Sequence, residues 1–120
     1  MKITFYSLDD EKNKIFFKSE GKKIDNCIIF EDKSYDNTVI KLELYSSSII
    51  LNREGNINMK LILKKNEASE CFYQNEMGLE FKFMAFCKDL IIKENRIDIE
   101  YDMILDEDIL SSHKIWIKIA

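Results

Sequence analysis

"NRIDIEYDMIL", Asn95 to Leu105, alternates without a break. Ile97, Ile99, Tyr101, Met103 and Leu105 hold one parity, and Asp98, Glu100 and Asp102 the other. Successive side chains of a strand point to opposite faces, so a period of two makes one dry face and one wet face. A helix would repeat its apolar positions at three and four. The stretch therefore predicts a half-buried antiparallel strand.

The same pattern recurs along the chain. In "TVIKLELY" (Thr38 to Tyr45), Ile40, Leu42 and Leu44 oppose Lys41 and Glu43. "NINMKLIL" (Asn56 to Leu63) sets Ile57, Met59, Leu61 and Leu63 inward. "HKIWIKI" (His113 to Ile119) puts Ile115, Ile117 and Ile119 inside, with Trp116 and Lys118 outside. Turn-forming Gly, Asn, Asp and Ser separate such runs in "LDDEKN", "SEGKK", "EDKSYDN", "NREGN", "QNEMG", "KEN" and "LDEDILSSH", each able to take a left-handed or side-chain-capped turn. "DEDILSS", Asp106 to Ser112, is read as room for one helical turn. Strands at this spacing indicate an all-β sandwich or barrel.

Closure into a barrel is favoured by two features. In "FKFMAFC" (Phe81 to Cys87) the inward set Leu79, Phe81 and Phe83 hands over to Met84 and Phe86. Such a register switch marks a bulge or sharp bend. The chain also has no proline, and a closed sheet leaves few edge positions for one.

At 120 residues the chain fits one domain, residues 1–120, and 46% hydrophobic content with 12% aromatics furnishes its interior. Net charge is −4, with Lys and Asp/Glu interspersed throughout. This predicts a mixed solvated surface and disfavours a nucleic-acid partner. No apolar run approaches the roughly 18 residues of a membrane span. The N-terminus lacks the apolar core of a signal peptide. A cytoplasmic location is expected.

Six short motifs, in order, carry a family resemblance: "SEG" at Ser19 to Gly21, "IFED" at Ile29 to Asp32, "NREG" at Asn52 to Gly55, "CFYQNEMG" at Cys71 to Gly78, "IDIEY" at Ile97 to Tyr101, and the tail "HKIWIKI". With them the chain resembles the YwiB-like family of bacterial proteins of unknown function. The resemblance implies a calycin-like (lipocalin-like) antiparallel β-barrel of about eight to ten strands and implies no activity. The chain departs from that pattern at Met77 (an aromatic in the family), at His113 (an asparagine) and at "DED" (a glycine turn).

Candidate sites are few. Cys27, Cys71 and Cys87 form no C-x-x-C unit and read as small buried residues. His113 is the sole histidine and reads as a polar residue ending a loop beside Ser111 and Ser112. The acids Asp98, Glu100 and Asp102 read as a solvated strand face. No catalytic set, metal site or cofactor is named, and an enzyme is not expected.

Arg53 stands out, because only Arg53 and Arg96 among 18 basic residues are arginine. It shares parity with Ile49 and Leu51, which points it toward the barrel mouth to pair with a carboxylate of the protein or of a ligand. The opposite parity, with Ile50 inward, is the alternative. Tyr73, Phe81, Phe83 and Tyr101 either line a cavity with Arg53 or fill the interior, as side chains do in small barrels. The leading expectation is non-catalytic binding of a small, partly apolar ligand at the mouth. The other is a protein-interaction barrel or homodimer using an outer strip of Trp116, Met84 and Phe86.

Overall fold

The computed structural model describes all of residues 1–120. Ten antiparallel strands follow one another: β1 (Lys2–Asp9), β2 (Lys14–Ile24), β3 (Cys27–Glu31), β4 (Thr38–Leu44), β5 (Ser48–Gly55), β6 (Asn58–Lys64), β7 (Ala68–Gln74), β8 (Glu80–Ile92), β9 (Arg96–Leu105) and β10 (Asp108–Ile119). Each pairs with its sequence neighbours, and β1 pairs with β10 to close the barrel. The seam is tied at its end by Lys2 N–H to Ala120 O at 2.7 Å and Ala120 N–H to Lys2 O at 2.9 Å. Closure removes the unpaired edges that would otherwise recruit other strands. The chain is a single closed, calycin-like, all-β barrel with no helix.

The alternation read from β9 holds where it matters. Ile97, Ile99 and Tyr101 are buried, as are Ile40 and Leu42 of β4, Leu61 and Leu63 of β6, and Ile115 and Ile117 of β10. Phe5, Phe17 and Phe30 pack as a trio, with Phe5 and Phe17 stacked at 5.0 Å and Phe30 within 6.4 Å of both. Their location follows from register, because Phe5 and Phe17 are direct cross-strand partners on the inner face.

Four sequence expectations are corrected. Gly21 does not turn the chain; it lies inside β2, where a Cβ would stand 2.8 Å from Ile3 Cγ1. The turn falls at Asp25 and Asn26 instead. The segment "DEDILSS" forms no helical turn: the chain reverses at Asp106 and Glu107, both with positive φ (51° and 70°), and Asp108 onward is strand. Two left-handed residues match the twist of a two-residue hairpin.

The register switch of β8 lies further along than Phe83. Ala85 and Cys87 continue the inward parity of Phe83 and are fully buried, and the irregularity comes between Cys87 and Asp89. The extra residue there is Lys88, and Leu90 resumes the inner face. Finally, Leu79 and Phe81 share parity with Phe83 but are 55% and 53% exposed. They sit at the hairpin end of β7 and β8, Leu79 in the connection itself and Phe81 just inside β8, so correct parity does not bury them.

Candidate functional site

One end of the barrel carries the hairpins between β1 and β2, β3 and β4, β5 and β6, β7 and β8, and β9 and β10. A cavity of about 320 Å³ opens there, walled mainly by apolar side chains from β1, β2, β5, β6, β7, β9 and β10, with Ser7, Asp9 and Asn13 among its polar ones. The interior is thus both filled and open: packed around the phenylalanine trio, hollow at this mouth.

Arg53 reaches the cavity because β5 keeps one parity through Ile49 and Leu51, both fully buried, to its last turn. Asp32, just past β3, is brought beside it by pairing of β3 with β4 and β4 with β5. Arg53 Nε stands 3.3 Å from Asp32 Oδ2. That distance pairs the charges, yet alignment is too poor for a hydrogen bond.

Asp32 Oδ1 accepts from the Ser34 amide at 2.9 Å and from the Ser34 hydroxyl. Asp32 is 1% exposed, so Arg53 is the charge that makes its burial tolerable. The loop that holds it is tied down at its far end, where Asn56 N–H donates to Asn37 O at 3.2 Å. Beside this contact Gly55, at φ 146°, leaves no room for a side chain, since a Cβ would lie 1.9 Å from Asn37 O.

Tyr101 and Tyr73 also line the cavity. Tyr101 is 6% exposed, and burial pushes its phenol well up, partly offset by the nearby Arg53 guanidinium. Neither the Tyr101 hydroxyl nor the terminal N–H groups of Arg53 find an acceptor in the protein. Tyr73 faces Phe81 across β7 and β8, rings 6.3 Å apart and 28° from parallel. Phe81 therefore belongs to the lip, and Phe83 to the packed core. The structure brings Arg53, Tyr73 and Tyr101 together and leaves these two phenylalanines outside the cavity wall.

His113 is the wall residue that sequence reasoning missed. It is not a loop end: it lies within β10 and faces the cavity. Its ring stacks on Tyr101 at 4.8 Å and 14°, and its Nε2 lies 2.6 Å from Ser111 Oγ. Desolvation lowers its pKa, against smaller upward pulls from Asp9, Asp10 and Asp102. The signal was present, since His113 shares parity with Ile115 and Ile117. Asp9 is its partner on β1, but that carboxylate is engaged by Asn13 and the Glu11 amide, each at 2.9 Å.

Outside the mouth, the acids of β9 are paired. Lys88, aimed outward by its bulge, lies 2.9 Å from Asp102 and 3.6 Å from Glu100. Arg96 pairs with Asp98 at 3.0 Å. Cys71 and Cys87 are buried, Cys27 is half-buried, and all three are free thiols. The residues Trp116, Met84 and Phe86 form no single strip. Trp116 aligns with Asp98 and Ile91, whereas Phe86 aligns with Asp102 and Ser112 four residues away along β10. No helix is long and apolar enough to cross a membrane.

An all-β barrel with a side cavity at its mouth defines the class. The family described as Domain of unknown function (DUF1934) matches residues 3–117, and the chain belongs to that family. Among solved structures the chain is similar to the crystal structure of ywiB protein from Bacillus subtilis. The TM-score is 0.68 at 16% identity, over 99% of this chain and 90% of that one, which establishes a shared fold. No curated protein matches the chain.

Proposed function

We propose that the protein is a non-catalytic binding module whose barrel mouth holds a small, partly apolar ligand. Arg53 and a tyrosine hydroxyl orient the ligand's polar end. The observation that carries this reading is a set of donors without protein acceptors in a largely apolar cavity. The Tyr101 hydroxyl and the terminal N–H groups of Arg53 open onto it without an acceptor. A donor that faces an open apolar hollow without a protein partner is free to bond an acceptor group brought by a ligand.

A ligand's acceptor group would bond to these donors, while Met59, Leu61 and Met103 cover its apolar body. The volume of about 320 Å³ lies at the small end of the roughly 300–1,000 Å³ typical of ligand sites. Asp32 holds the guanidinium by one edge and leaves the other edge free, which suits planar recognition.

Native mass spectrometry of freshly purified protein tests the reading. A small molecule that stays with the wild-type chain, and is lost from Tyr101→Phe and Arg53→Met, is the expected result. A bare monomer from several growth conditions overturns it. A dimer without added small-molecule mass would instead favour self-association.

A further inference from the structure

The chain's lysines are scattered in sequence but not in space. Four neighbouring strands, β2, β1, β10 and β9, present an outer face whose side chains fall into cross-strand rows. The central row is Phe16, Tyr6, Trp116 and Asp98. One flanking row is Lys18, Thr4, Lys118 and Arg96, and the other is Lys14, Leu8, Lys114 and Glu100. An aromatic row thus runs between two basic ones.

The period of two causes this sorting. Lys14, Phe16 and Lys18 share one parity on β2, and Lys114, Trp116 and Lys118 share one on β10, each opposite the buried set. Five cations on this face oppose two acids, and those acids are already paired with Arg96 and Lys88. Lys14, Lys18, Lys114 and Lys118 enter none of the six ion pairs of the protein.

Tyr6 lies 5.0 Å from Trp116 and 6.4 Å from Phe16, centroid to centroid. A shallow depression of about 450 Å³ spans the aromatic row and the adjoining Arg96 and Lys118. Cross-strand aromatic pairs stabilise sheets, but packing alone explains neither a phenylalanine left 62% exposed nor Lys14, Lys18 and Lys118 around the aromatic row without an ion pair.

We propose that this face binds single-stranded nucleic acid, with bases stacking on the aromatic row and phosphates meeting the flanking lysines. Aromatic side chains accept any base by its π-face, and a basic border tracks the backbone. The net charge of −4 does not oppose this, because much of the acid, as at Asp9 to Glu11 and Asp106 to Asp108, gathers in the mouth-end hairpins, at the end of the face away from Lys18, Lys118 and Arg96. Charge complementarity is therefore local, and it confines contact to a short segment of strand.

Trp116 is the only tryptophan, so its fluorescence reports contact directly. Titration with a labelled oligothymidylate of about 12 nucleotides should raise the label's anisotropy and quench Trp116 together. Three phosphate contacts give a slope of log affinity against log salt of about −2, which is about a 15-fold loss between 50 and 200 mM salt. Lys18→Glu with Lys118→Glu should abolish binding, and Phe16→Ala should weaken it about tenfold. All three positions are exposed, and circular dichroism checks that the variants fold.

The proposal fails if neither signal changes at low salt, or if the lysine variants bind as well as wild type. It also fails if the oligonucleotide binds without quenching and polyglutamate displaces it equally well. That last result would mark a face for acidic peptides.

Discussion

The packed interior and the mouth cavity are built from the same ten strands, but they obey different rules. Around Phe5, Phe17 and Phe30 the inward side chains are mainly apolar and pack against one another, with Ser19 the buried polar neighbour on β2. Such a region stabilises the fold by area and close packing, at about 25 cal/mol per Å² of apolar surface buried. At the mouth the inward parity delivers Arg53, Tyr101 and His113 into partial burial, where the Tyr101 hydroxyl and the terminal N–H groups of Arg53 have no protein acceptor. Burial there costs free energy, and Asp32 beside Arg53 and Ser111 beside His113 offset part of it. Strand geometry brings residues inside regardless of whether they gain by it, and a polar residue on the inner parity suggests a purpose beyond folding.

Substitutions should separate the two regions by size of effect. Phe5→Ala removes a fully buried ring at the centre of the trio and should cost about 3–5 kcal/mol, read from the urea midpoint at unchanged slope. A cost below about 1 kcal/mol would mean that this interior is no better packed than the mouth. Asp32→Ala strands the Arg53 charge and should cost about 3 kcal/mol. The double variant Asp32→Leu with Arg53→Met should recover most of that loss in the same measurement. Failure to recover would show that the pair does more than neutralise itself.

The pH dependence of stability should divide along the same line. Burial raises Cys87 from 9.0 to about 11 and raises Cys71 as well. Above about pH 9 the unfolded chain loses thiol protons that the folded chain keeps, so stability falls as pH rises toward 11. Cys87→Val should flatten that alkaline limb.

His113 behaves oppositely. Its folded pKa lies below the usual 6.5, so below about pH 6.5 the unfolded chain binds the proton more readily and stability falls with acid. His113→Gln should flatten that part of the acid limb. The part of the alkaline limb that Cys87→Val flattens thus reports the interior, and the part of the acid limb that His113→Gln flattens reports the mouth, both by denaturation midpoints across pH.

The smallest effect belongs to the Tyr101 hydroxyl. Tyr101→Phe deletes a group with no partner in the protein, and its stability should stay within about 0.5 kcal/mol of wild type. A larger loss would reveal a structural hydrogen bond and weaken the case for the hydroxyl as a ligand contact.

Much of the barrel was legible along the chain. Period two over Asn95 to Leu105 and its counterparts marks both the strands and their dry faces, because a strand's alternation is local. Arg53 could be picked out by its rarity and its parity with Leu51. His113 carried the same parity signal, and its neighbouring serines drew it into a loop reading.

Other features depended on partners distant in sequence. Phe81 has the correct parity for the interior, but burial also depends on how far along the barrel axis a strand is covered, and shear between neighbours sets that. The bulge at Lys88 was read too early along β8, since Ala85 and Cys87 are small enough to read as either face. Asp32 was visible only as part of "IFED", until β4 carried it next to β5.

By itself the sequence determined which side of each strand is wet, since that follows from backbone geometry one residue at a time. Tertiary structure alone decided which wet and dry positions meet. Register across strands far apart in sequence made a hollow between Arg53 and Tyr101, and it gathered lysines from both ends of the chain around Phe16, Tyr6 and Trp116.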